Sequence, residues 1–309
     1  MDLYPTPDNP LPEAAVCVAL KTRDGLSLRA MRAGHDGGKG TVVIIGGRGD
    51  FMERYFETMR DLIARGFCVA SVDLRGQGGS QRLLTDPYRG HAKNFDGFDE
   101  DVRSLMTKLV VPSCPAPYFA IGHSTGGHVV LRVVQRQRWF SRAVLCSPLL
   151  GILYGSWPRP VAGALVALAN AARLGWMFLP GQQHRPMGRE HFHGNPLHSD
   201  QRRWNRDSGT LEIAPRLGIG GPTFGWLRAA RQSIAGLSRM AQRQRSYTPV
   251  LIVASGNDRV VSNTAIRNFA RLTPGIALVF VPGAGHELLS ERDEYRQQFF
   301  AAFDSFVGR

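Results

Sequence analysis

Between residues 118 and 137 the chain passes from an apolar run, Tyr118-Phe119-Ala120-Ile121, through Gly122-His123-Ser124-Thr125-Gly126 into a helix-like stretch. A serine between two glycines at a strand-to-helix junction has the pattern of a nucleophile elbow: the backbone is strained and the Oγ stands out at the top of a sheet. The flanking glycines keep side chains out of the tight turn. The pentapeptide alone is a weak signal in a chain with 35 glycines among 309 residues. Its meaning depends on what else the fold can bring to that turn.

The surrounding pattern predicts an α/β fold. Short apolar runs at 41–45, 67–72, 117–121, 142–146, 249–254 and 277–281 are typical of parallel strands buried on both faces. Helical patterns lie between them, at about 52–65, 96–110, 125–137, 262–272 and 290–307. Ahead of them, Ala15–Leu20 and Leu26–Met31 flank a turn at Arg23-Asp24-Gly25 and read as an opening hairpin. Strand-helix alternation of this kind gives a mostly parallel central sheet with helices on both faces. Gly37-Gly38-Lys39-Gly40-Thr41 lacks the spacing of a phosphate-binding loop and precedes a strand, so it reads as a turn.

Two later strands end in chemically useful residues. Pro249–Ala254 leads through Ser255-Gly256-Asn257 to Asp258, and Ala277–Val281 leads through Pro282-Gly283-Ala284-Gly285 to His286. The carboxyl ends of strands are where open α/β sheets gather reactive groups. A neutral His286 can take the proton from Ser124, with Asp258 fixing the tautomer and stabilising the imidazolium. Acyl transfer also needs donors for the charge that develops on the carbonyl oxygen. Val42–Ile45 ends in Gly46-Gly47-Arg48-Gly49, so the expected oxyanion hole is the N–H of Arg48 together with the N–H of Thr125.

At these residues the chain resembles the serine α/β-hydrolases, and within them the bacterial lysophospholipases related to monoacylglycerol lipases. Gly47-Arg48 and Tyr55 look like the oxyanion-loop region, and Asp73-Leu74-Arg75-Gly76-Gln77-Gly78-Gly79-Ser80 resembles a D-x-R-G-x-G-x-S turn. The likeness continues through Arg82-Leu83-Leu84, Asp86-Pro87 and Gly90-His91, and returns in Asn195-Pro196-Leu197-His198-Ser199 and Gly220–Trp226. Many lipases carry His-Gly before the hole residue, whereas Gly46 stands at that histidine position here. The resemblance implies an α/β-hydrolase fold with a helical cap insertion. It also implies hydrolysis of the acyl ester of single-chain lipids through an acyl-serine intermediate, without a cofactor. A monoacylglycerol lipase or small-ester esterase is the neighbouring alternative. A non-catalytic binding protein on the same fold is the alternative of another class, and the complete Ser, Asp and His set argues against it.

Residues 151–245 break the strand-helix rhythm and are expected to form the cap, with 1–150 and 246–309 as the core. The segment holds Trp157, Trp176, Trp204 and Trp226 and opens with Pro158 and Pro160. Val161 to Met177 places Val161, Leu165, Leu168 and Ala172 on one helical face, too short a run to span a bilayer. His184, His191, His193 and His198 also fall here, but no cysteine or carboxylate cluster accompanies the 191/193 pair, and no metal is expected.

The net charge of +13 comes mostly from arginine, since Lys21, Lys39, Lys93 and Lys108 are the only lysines among the 38 basic residues. Thirteen arginines against four acidic residues fall in 151–245. With no nucleic-acid motif present, the expected partners are an acyl-lipid substrate and an anionic membrane surface touched peripherally. Arg202, Arg203 and Arg206 are expected to favour a phosphate-bearing headgroup. Cys17, Cys68, Cys114 and Cys146 are scattered without C-x-x-C spacing, and no cleaved export signal is evident. A reduced, cytoplasmic protein is expected, working at or near the inner face of the membrane.

Overall fold

The computed structural model describes residues 1–35, 38–153, 159–182, 192–243 and 248–308. Among the described residues the strands are β1 (Val16–Lys21), β2 (Ser27–Ala33), β3 (Thr41–Ile45), β4 (Cys68–Val72), β5 (Tyr118–His123), β6 (Arg142–Cys146), β7 (Val250–Ser255) and β8 (Ile276–Val281). They form one sheet in the order β1-β2-β4-β3-β5-β6-β7-β8. β2 pairs antiparallel with β1 and β4, and every pairing from β4 onward is parallel. The expected hairpin and all six expected strands are present, shifted by a residue or two at their ends.

The apolar runs from β3 to β7 form strands because both faces of the sheet are covered there, whereas the edge strand β8 is open on one face, with Val279 44% exposed. With a side-chain period of two, Val43 and Ile45 enter one hydrophobic cluster while Val42 and Ile44 enter the other. Ile252 and its neighbours Leu251 and Val253 divide in the same way. The first face is covered by α2 (Asp96–Leu105), which runs through a π-turn at Met106–Val110 into α3 (Val111–Ser113), and by α4 (Thr125–Val134), through Phe98, Val102, Val129 and Val130. The second is covered by α1 (Phe56–Ala64) and the C-terminal helix Asp293–Val307, through Phe56, Met59, Phe299 and Phe303. Each such buried side chain contributes roughly 1.5–3 kcal/mol.

The chain reverses its direction of sheet growth at β3, which has β4 on one side and β5 on the other. A crevice opens outside the carboxyl ends of the strands at such a switch point, and the loop after β3 and the turn after β5 both lie there.

Between β6 and β7 come α5 (Arg159–Ala171), α6 (Gln201–Ile213) and α7 (Phe224–Arg243). α7 packs on α5 and α4. It is tied to α4 by His128, whose Nδ1 lies 2.8 Å from the Leu149 carbonyl oxygen and whose Nε2 lies 2.7 Å from Ser233 Oγ. α5 departs from the sequence reading in two ways. It stops at Ala171, just before Arg173 takes a left-handed φ of 59°. Its buried face is Val166 and Ala169, while Val161 is 50% and Leu168 69% exposed. Packing against α7 therefore overrides the stripe read from periodicity. Of the tryptophans, Trp204 and Trp226 are buried, Trp176 is 45% exposed, and Trp157 and Pro158 lie outside the described residues. After α7 the chain returns to the sheet through β7, α8 (Asn263–Leu272), β8 and the C-terminal helix, α9.

One buried charge cluster ties the antiparallel edge to the loops above the sheet. Arg29 on β2, 2% exposed, donates to Glu53 Oε1 at 2.8 Å, to Glu53 Oε2 at 2.7 Å and to Asp73 Oδ2 at 2.7 Å. Asp73 in turn accepts the N–H groups of Met52 and Gly79, which fixes the Asp73–Ser80 turn. Removing the cation would strand two carboxylates in the interior. Arg29→Met is expected to destabilise the fold by about 3–5 kcal/mol in urea unfolding, and a loss under about 1 kcal/mol would show the pair to be incidental.

Candidate active site

Ser124 ends β5 and caps α4 with φ 50° and ψ −114°, a left-handed conformation unusual for a residue with a Cβ. Its N–H donates to the Cys146 carbonyl at 3.0 Å, and its own carbonyl accepts from His128 and Leu149 at 3.1 and 2.9 Å. The neighbouring glycine is required by close approach. A Cβ on Gly126 would overlap the carbonyl oxygens of Ile45 and Gly46, so only glycine lets α4 start against the end of β3.

The loops after β7 and β8 deliver the other two residues. His286 Nε2 lies 2.9 Å from Ser124 Oγ and its Nδ1 lies 2.7 Å from Asp258 Oδ2. Asp258 Oδ1 accepts the N–H groups of Val260 and Val261 at 2.8 and 2.9 Å. Burial alone would raise the Asp258 carboxyl, but the hydrogen bond and charge of His286 and the two backbone donors outweigh it and hold it below its usual range. An ionised Asp258 only accepts, so the Nδ1 beside it carries the hydrogen. That leaves the Nε2 lone pair facing the serine.

The loop Gly46–Gly49 lies against the elbow, where a Cβ on Gly47 would come within 3.2 Å of Ser124 Cβ. Thr125 is the first residue of α4, and the first-turn amides of a helix have no intrahelical acceptor. The Arg48 side chain turns toward the segment before α7: its Nη1 donates to the Gly220 carbonyl at 2.9 Å and its guanidinium sits 5.6 Å from the Trp226 ring. Support for the loop comes from residues that sequence reasoning passed over or gave no role. Asp50 accepts from Gly47 N at 2.5 Å and from Tyr55 OH at 2.6 Å. Gln77 Nε2 donates to the Gly47 carbonyl at 2.6 Å, and its Oε1 accepts from Gly49. A Cβ on Gly46 would meet Asp50 Cβ at 3.0 Å and the Tyr55 ring at 3.1 Å, so Asp50 and Tyr55 fill the space a histidine would take.

The arginines expected to face substrate are placed otherwise. Arg203 is bound to Glu57, Asp200, Asp293 and the Glu291 carbonyl, and Arg206 to Glu57 and Asp207. These two bolt α6 to α1 and α9, and only Arg202 is exposed. Among the described residues no group of three or more His, Cys, Asp or Glu side chains is set to hold a metal. His184 and His191 lie outside those residues, and His198 is buried beside Trp204.

A family model described as serine aminopeptidase, S33, matches residues 37–293. The chain belongs to this hydrolase family. The hydrolase is 30% identical over 279 residues to lysophospholipase L2 of Escherichia coli K12, a match covering 87% of this chain and 80% of the relative. It is 25% identical to a probable lysophospholipase L2 of Haemophilus influenzae, covering 86% and 83%. Its fold matches that of a monoglyceride lipase from Saccharomyces cerevisiae with a TM-score of 0.74 at 19% identity, over 99% of this chain and 98% of the other. The expected α/β-hydrolase fold is thereby shown. Among the described residues no helix of the hydrolase is long and apolar enough to cross a membrane.

Two buried histidines near the site are held neutral by their surroundings. His123, beside Ser124, is pushed down to about 4, first by burial and then by the charge of His286. His128 is pushed down to about 3 by burial and then by Arg132. Between the ordinary value of 6.5 and these folded values, the unfolded chain binds protons that the folded one does not. The stability contributed by these two histidines is therefore expected to be full above about pH 6.5 and to fall toward pH 4. Urea unfolding of the wild type and His128→Gln across that range checks this, with a shallower slope expected for the variant.

Proposed function

We propose that this hydrolase cleaves the acyl ester of single-chain phospholipids by a Ser124–His286–Asp258 mechanism. Ser124 is the nucleophile, and His286 Nε2 takes its proton as the Oγ–acyl bond forms. The tetrahedral oxyanion is held by the N–H groups of Arg48 and Thr125, aided by the positive end of α4. His286 then returns the proton to the departing glycerol oxygen. Water, deprotonated by the same imidazole, releases the fatty acid and restores the serine.

The match to the Escherichia coli lysophospholipase carries the substrate reading. Covering 87% of the chain, it cannot be confined to the sheet and its flanking helices, and so extends into residues 151–245. In this reading 1–150 and 246–309 are the core and 151–245 the cap that selects the headgroup. The unbroken hydrogen-bonded path from Ser124 through His286 to Asp258 supports the mechanism. Val161, Leu168, Leu174, Trp176 and Met177, exposed on and just after α5, together with a net charge of +13, support peripheral contact with an anionic membrane surface on the cytoplasmic side.

Ser124→Ala is expected to lower kcat by roughly 10³–10⁶ and to abolish fluorophosphonate labelling while leaving thermal unfolding nearly unchanged. A folded variant that keeps more than about a tenth of the activity would remove Ser124 from the mechanism. Paired assays on a lysophospholipid and a monoacylglycerol of equal chain length test the substrate class. About tenfold or greater preference in kcat/KM for the lysophospholipid is expected. The reverse order would make the protein a monoacylglycerol lipase.

A further inference from the structure

Arg54 joins three parts of the chain at one guanidinium. Its Nη1 donates to Asp50 Oδ1 at 2.5 Å, its Nε donates to Asp207 Oδ2 at 2.9 Å, and its Nη2 pairs with Glu287 Oε2. All four side chains are largely buried, with 14% of Arg54 exposed and 5–8% of the carboxylates. Each carboxylate belongs to a different piece of machinery. Asp50 grips the Gly47 N–H just before Arg48. Glu287 directly follows His286, and its own N–H donates to the Leu197 carbonyl at 2.9 Å. Asp207 lies in α6, which is also anchored through Arg203 and Arg206 to Glu57 on α1.

We propose that Arg54 is a positioning residue that makes the acyl-transfer geometry depend on the seating of α6. The inference rests on the reading of Ser124, His286 and Asp258 given above. A planar guanidinium with five fixed donors can hold three carboxylates in set directions, which an ammonium cannot. With Arg54 in place, Asp50 keeps the Arg48 loop at the elbow and Glu287 keeps His286 in line with Ser124. Without it, Asp50 and Glu287 would face each other without their shared cation, Asp207 would keep only Arg206, and the three would move apart. A displacement of about 1 Å at the reacting groups can cost on the order of 10²-fold in rate. Asp207 extends the same dependence to α6, because its loss frees one arm of the fork and leaves the other two to reorient.

The test measures second-order labelling by a small fluorophosphonate and turnover of a short soluble ester, neither of which requires recognition of a lipid headgroup. Arg54→Lys and Asp207→Ala are each expected to lower kcat and the labelling rate together by about tenfold or more. KM for the short ester should stay within about threefold. Millimolar guanidinium is expected to restore part of the labelling rate of Arg54→Ala and none of that of Ser124→Ala. Arg202→Ala, on the exposed face of the same helix, should behave as wild type. Wild-type labelling rates in folded Arg54→Lys and Asp207→Ala would overturn the proposal, as would a lower melting temperature with an unchanged rate per labelled site. If Arg54 variants do not fold, Asp207→Ala alone decides between these outcomes. Labelling that persists in Ser124→Ala would instead overturn the reading of the site on which the proposal rests.

Discussion

The left-handed backbone at Ser124 is the constraint around which the rest of the site is arranged. A residue held there costs of order 1–3 kcal/mol and persists only when its surroundings over-determine it. Here three backbone hydrogen bonds, to Cys146, His128 and Leu149, fix the turn from the neighbouring strand, the helix it starts and the loop after β6. The parallel pairing of β5 with β3 and β6 brings those partners within reach. The sheet order therefore acts on chemistry directly. It decides which loops lie beside the Ser124 Oγ, and the loops after β3, β7 and β8 supply the rest.

Several arginines of this chain are structural residues. The excess positive charge in residues 151–245 invites a substrate reading, yet Arg203 and Arg206 bind carboxylates of α1 and α9 or of α6 itself, and Arg29 and Arg54 likewise bind buried carboxylates. The preference for arginine over lysine follows from geometry, since most of these guanidiniums hold two or more acceptors at once. Net charge alone does not reveal this, because it counts a buried, neutralised guanidinium and a solvated one equally.

The fold, and the three residues that the structure brings together as Ser124, His286 and Asp258, were legible because each depends on a local pattern. Runs such as Val42–Ile45 and Leu251–Ala254 are apolar on both faces, and Ser124, Asp258 and His286 each follow such a run within a few residues. The supporting shell carried no comparable signal. Arg54 meets Asp207 and Glu287 across 153 and 233 residues of sequence, a relation that no spacing rule expresses. The one local hint was a pair of charges, Glu53-Arg54, inside the otherwise aromatic and apolar stretch Phe51–Phe56. The orientation of α5 was left open for the converse reason. Its periodicity offers more than one apolar face, and only contact with α7 selects Val166 and Ala169.

The attachment of α6 also bears on modularity. A segment inserted between two strands looks exchangeable among relatives, as though a chimera could swap specificity at two cut points. In this protein such a graft would carry away the cations that neutralise Glu57 and Asp293, together with the acidic partner of Arg54, while the recipient core kept the other halves of those pairs. Any functional transplant would have to move positions 54, 57, 287 and 293 along with the inserted helices. The unit that can be transplanted is thus a discontinuous set of residues spread over both parts of the chain, and divergence in one part constrains what the other can become.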